Sequence, residues 1–103
     1  MNVISYIGVL AIPATSQKLA LTVASAQSAV INGTARPGNG LTALLALDTP
    51  AFVRAGANPT VAVDGTDQYL PAGLHRLEGL QTTDKLAIAA VTGTGNAYIS
   101  PVV

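Results

Sequence analysis

Glycine and proline cut this chain into short runs, and in several of them apolar and polar positions alternate with a period of two. Such runs, punctuated every ~8–12 residues, are the pattern of an all-β sandwich or barrel. Gln17-Lys18-Leu19-Ala20-Leu21-Thr22-Val23 sets Leu19, Leu21 and Val23 on one face and Lys18, Ala20 and Thr22 on the other, which predicts a strand. Thr60-Val61-Ala62-Val63 alternates likewise and stops at Asp64-Gly65, a strong turn dipeptide, so a strand is expected there too. Ala51-Phe52-Val53-Arg54-Ala55, a short Gln68-Tyr69-Leu70, and residues 74–80 read as three more. Pro71, in the turn Pro71-Ala72-Gly73, suits a strand end or an edge.

The C-terminal third carries the clearest pattern. Residues 84–91 align Leu86, Ile88 and Ala90, Thr92-Gly93-Thr94-Gly95-Asn96 gives a loop, and Ala97 and Ile99 then alternate with Tyr98 and Ser100. This predicts a hairpin with a five-residue connection. Two segments fit either period. Residues 23–31, rich in Ala and Ser, could wind a helical turn, and Leu41-Thr42-Ala43-Leu44-Leu45-Ala46-Leu47 suits helix or strand. As a strand it would be apolar on both faces, one for the core and one for a partner. Ala35-Arg36-Pro37-Gly38-Asn39-Gly40 is a loop.

Residues 1–16 form an N-terminal arm ahead of a β-sandwich domain over 17–103. Val3, Ile4, Tyr6, Ile7, Val9, Leu10 and Ile12 make the arm too apolar to hang free, and Pro13 separates it from the first patterned strand. It is expected to clasp a neighbouring subunit or a sheet edge through main-chain hydrogen bonds. The expected fold class is all-β: a small antiparallel β-sandwich or jelly-roll-like barrel with an extended arm.

Charge changes the picture most. Five Lys+Arg and five Asp+Glu make 10% of the 103 residues, where soluble domains usually carry about 25%. The formal net charge is zero and half of the residues are hydrophobic. A small protein ordinarily keeps apart from its neighbours by charge. A chain this poor in it is expected to have much of its surface covered by other chains, as an assembly subunit does. No apolar run approaches the ~18–20 residues of a membrane span. Lys18, Arg36, Arg54, Arg76 and Lys85 are scattered, so no nucleic acid is expected as partner. The apolar start lacks a basic n-region, and an intracellular product without a targeting signal is expected.

Candidate chemistry adds little. Cys is absent and His75 is the single histidine, so disulfides, thiol nucleophiles and Cys/His zinc sites are excluded. No Gly-x-Ser-x-Gly elbow surrounds a serine. Asp48, Asp64, Asp67, Glu78 and Asp84 sit mostly in turn-like contexts and read as solvated. Asp64-Gly65-Thr66-Asp67 offers two carboxylates but lacks the remaining ligands of an EF-hand loop. Thr92-Gly93-Thr94-Gly95 precedes a strand and so is a hairpin loop instead of a phosphate cradle. Tyr6, Phe52, Tyr69 and Tyr98 are dispersed, with no stacking platform for a sugar or a single strand. Neither catalysis nor a cofactor or metal is expected.

Asp48-Thr49-Pro50-Ala51-Phe52-Val53-Arg54-Ala55-Gly56, Tyr69-Leu70-Pro71-Ala72-Gly73, Lys85-Leu86-Ala87-Ile88-Ala89-Ala90-Val91 and Gly95-Asn96-Ala97-Tyr98-Ile99-Ser100 occur in this order. The series resembles small virion proteins of tailed bacteriophages over residues 48–101, about half of the chain. The resemblance implies an antiparallel β-sandwich that decorates or cements a capsid, commonly as a homotrimer. It also implies the major capsid protein or another virion protein as partner, and a place in the virion after assembly in the host cytoplasm. The alternative is a head or tail appendage module whose loops contact a host glycan or receptor. Seven residues are expected at interfaces: Tyr6, Ile7 and Leu10 in the arm, and Leu44 and Val91 on second apolar faces of their strands. Arg54 and Arg76 complete the set, as guanidinium groups within apolar strands that need a paired, partly buried site.

Overall fold

The computed structural model describes residues 16–31 and 40–102, which form eight strands and no helix. They are β1 (Gln17–Leu21), β2 (Ala26–Gln27), β3 (Leu41–Leu47), β4 (Ala51–Gly56), β5 (Gln68–Leu70), β6 (Gly73–Leu80), β7 (Lys85–Ala90) and β8 (Gly95–Pro101). Two four-stranded sheets result, in the orders β1-β8-β3-β6 and β2-β7-β4-β5, with every pairing antiparallel.

One rule generates this order. β1 pairs with β8, β2 with β7, β3 with β6 and β4 with β5, as the two arms of one long folded ribbon would. Rolling that ribbon up also brings β8 against β3 and β7 against β4, which completes both sheets. The result is a two-sheet sandwich with jelly-roll connectivity, within the expected fold class.

Period-two alternation fills the space between the sheets. Leu21, Ile31, Leu41, Leu45, Leu86, Ile88 and Ile99 are its largest fully buried side chains, with Ala43, Ala51, Ala90 and Ala97 between them. Residues 41–47 adopt the strand alternative, with Leu41, Ala43, Leu45 and Leu47 in the core and Leu44 and Ala46 half-buried on the other face. Residues 23–31 wind no helical turn. Their polar Ser28 is buried without penalty, because its N–H donates to Leu86 O at 2.8 Å and its Oγ accepts from Leu86 N–H at 2.9 Å.

The ladders correct two expectations. The strands before and after residues 91–94 do not form a hairpin, since β7 lies between β2 and β4 while β8 lies between β1 and β3 in the opposite sheet. Alternation is the same for a hairpin and for a chain that crosses the core, because both place the same residues inward. Residues 60–63 are not a strand either; Val61 and Val63 pack onto the outer surface of a sheet without entering a ladder. Gly65 does make a turn, at φ +87°. At the start of β8, a Cβ on Gly95 would run into Thr49 Cγ2 and Asp48 Oδ1, so the β3–β4 connection packs directly on this backbone. The arm, with Tyr6, Ile7 and Leu10, and the loop at residues 35–39 lie outside the described residues.

Candidate functional site

The outer faces of the two sheets are finished in opposite ways. On β2-β7-β4-β5, Phe52, Ala87 and Ala89 point outward in register. Residues 57–67, the connection from β4 to β5, fold back over them. Val61 and Val63 pack there with Phe52, and Ala87 and Ala89 are left 0% exposed. Hydrogen bonds pin this flap at several points. Gln27 Nε2 donates to Asn58 Oδ1 and to Pro59 O, both at 3.0 Å. Val61 N–H donates to Ser25 Oγ at 3.1 Å, and Asp67 accepts from Ala62 N–H at 2.8 Å and from Arg54 Nε at 2.7 Å. The second apolar face of residues 85–91, expected to need a partner chain, is thus covered largely by its own. The preceding valines were legible as apolar, but their role required the register.

On β1-β8-β3-β6 the described residues include no such flap. Lys18, Tyr98, Ala46 and Leu74 stand abreast across the four strands, and Ser100, Leu44 and Arg76 form the next row. Leu74 is 68% exposed and Tyr98 44%, with the small Ala46 between them. The expected interface residues Leu44 and Arg76 therefore belong to one surface, and Tyr98 and Leu74 join them there. Val91 is half-buried at the β7–β8 crossing, its N–H bonded to Pro50 O at 3.0 Å.

The two seams between the sheets also differ. On the β1/β2 side, Ile31 plugs the core, while the Gln17 side chain accepts from Ala29 N–H at 2.9 Å and donates to Ala29 O at 3.2 Å. On the β5/β6 side an open cleft of about 280 Å³ remains, lined mainly by Val53, Leu70, Leu77, Leu80 and Leu86, with Gln68, Arg76 and Glu78 also on its walls.

No family model, curated protein or solved structure matches this chain. The jelly-roll order is therefore read from the strand pairing alone.

Each carboxylate has a local hydrogen-bonding task. Asp48 accepts from Asn96 N–H at 2.7 Å, Asp84 from Gln81 N–H at 2.8 Å, and Asp64 from Thr66 N–H at 3.0 Å. The Thr66 hydroxyl and then its amide hold the Asp64 carboxyl below its usual range. The Ala62 amide does the same for Asp67, aided by Arg54 and opposed by desolvation. Arg54 is thus paired within the chain, its own side chain 54% exposed and that of Asp67 5%. Arg76 pairs with Glu78 two residues along β6, at 2.8 Å, both well exposed. His75 Nε2 lies 2.7 Å from Pro71 O. Among the described residues no three His, Asp or Glu side chains converge as a metal site would require.

Proposed function

We propose that this chain is a structural subunit of a virion, a decoration or cement protein that stabilises a tailed-bacteriophage head by protein–protein contact. The observation that carries the reading is the outer face of β1-β8-β3-β6, where Leu74 and Tyr98 stand exposed beside Leu44 and Ala46. Apolar side chains in adjacent rows, flanked by Lys18 and Arg76, have the composition of an interface centre with a charged rim. The low overall charge supports the same reading, since a surface covered on assembly needs little of it. Jelly rolls serve in viral capsid and lectin domains, which adds a fold-level analogy of lesser weight.

Electron microscopy of phage particles purified from cells that produce the chain tests the proposal. Density at regularly spaced positions over the shell, in hundreds of copies, is expected. Density confined to a few copies at an appendage would replace this reading with the host-contact alternative, and particles lacking the chain altogether would overturn both.

A further inference from the structure

We propose that β6 is a self-recognition edge, along which a second copy of this chain pairs antiparallel about a two-fold axis through Leu77. This rests on reading the chain as an assembly subunit and names one of its partners as itself. Among the described residues β6, eight residues long, is bonded on one side to β3 and borders the open cleft on the other. A strand edge of this length offers unpaired N–H and C=O groups to any extended chain, and proteins commonly guard such edges with charge or with a bulge. Both devices are here. Glu78 and Gly79 together face the single residue Thr42 in a bulge, with Gly79 at φ +77°. The charges are Arg76 and Glu78, on the outward face.

This guard is self-complementary. Residues opposed in an antiparallel pair point to the same side, so only even sums of paired residue numbers keep the outward side chains together. Centring the axis on Arg76 would set guanidinium against guanidinium, and centring it on Glu78 would set carboxylate against carboxylate. Centring it on Leu77 sets Arg76 of each copy against Glu78 of the other, two opposite-charge pairs at once. The same register puts Leu77 against Leu77 on the inward side, where the cleft would otherwise leave it half-buried. An isologous contact of this kind closes at two copies, in place of the trimer implied by the phage resemblance.

Charge exchange tests this, read by sedimentation or light scattering against the 10.3 kDa chain mass. Arg76 and Glu78 are 60% and 61% exposed, so Arg76→Glu and Glu78→Arg should both fold, with circular dichroism as the check. The wild type is expected at twice the chain mass at micromolar concentration. Each variant alone should raise the dissociation constant about tenfold or more, because both cross-strand pairs become repulsive. An equimolar mixture of the two variants should recover the dimer, since all interchain pairs are then opposite while the pairs within each chain remain alike. A monomeric wild type, a mixture that fails to recover, or variants that still self-associate would overturn the proposal. A monomer whose Arg76→Glu variant loses the shell would assign the edge to the shell protein instead. Because particle occupancy is measured separately, a dimer missing from every particle would sink the virion reading while leaving the edge intact.

Discussion

On the outside of β2-β7-β4-β5, Ala87 and Ala89 lie beneath Val61 and Val63, and a buried carboxylate holds the covering segment in place. On the outside of β1-β8-β3-β6, Ala46 lies between Leu74 and Tyr98, both substantially exposed. Both sheets have apolar outer faces, so apolar content alone does not distinguish a surface awaiting a partner from one the chain covers itself. What distinguishes them is the length of the local connection. The eleven residues 57–67 join two neighbouring strands of one sheet, far more than a hairpin needs, and the surplus folds over the sheet.

The sharpest way to break this contrast is to place the same charge on each face. Ala87→Asp buries a carboxylate under the flap without a partner and should cost about 3 kcal/mol or more, read by denaturant unfolding. Ala46→Asp sits on the open face and should cost about 1 kcal/mol or less in the isolated chain. Equal losses would mean that the two faces are finished alike.

Acid sharpens the contrast from the side of the flap. The folded Asp67 carboxyl is held below its usual range by the Ala62 amide first and by Arg54 after it, against desolvation. A group whose pKa is depressed on folding stabilises the fold above its unfolded value, about 3.9, and loses that contribution as pH falls through the folded value. The flap should therefore be fully latched at neutral pH and loosen well below pH ~4. The backbone amide shifts of Val61 and Ala62 would report it. Asp67→Asn should weaken the latch at neutral pH and flatten this acid response, whereas Asp64→Asn should leave the Ala62 amide shift nearly unchanged at neutral pH. A wild-type flap indifferent to acid would show that the valine packing holds it unaided.

The inward residues are legible because alternation identifies them without knowledge of their partners: Leu19 and Leu21, Leu86, Ile88 and Ala90, and Ala97 and Ile99 all face the core as their runs predict, whereas Val23, expected on the face of Leu19 and Leu21, lies past the end of β1 and is exposed. Partnership was not legible. The run of residues 92–96 looks like a hairpin loop, yet the chain there crosses from one sheet to the other, because β3 supplies β8 with a neighbour from far along the sequence. Residues 60–63 alternate like a strand, yet they enter no ladder and serve as a cover over the outer face of a sheet. Leu44 and Arg76 were picked out for separate reasons, one for a doubly apolar run and one for a lone guanidinium. Only the β3–β6 register shows that they are adjacent. Leu74 and Tyr98 are not among the residues expected at an interface, since each is a single apolar residue at a polar-phase position, and a patch emerges only when the register aligns them across Ala46.

The smallest effect on folding should accompany a large effect on assembly. Leu74→Ser removes a side chain that is mostly in water and Tyr98→Ser one that is 44% exposed, so they should change unfolding free energy by about 0.5 and about 1 kcal/mol, respectively. If a shell protein covers this face, the same substitutions delete apolar contact at its centre, where truncation of an anchor typically costs about 2 kcal/mol or more of binding. Occupancy on purified particles should then fall steeply for the Leu74→Ser, Tyr98→Ser double variant while the chain stays folded, with only a small loss of thermal stability. The opposite pattern, a destabilised chain that still coats the particle, would place these side chains in the fold's own packing and move the contact surface to another face.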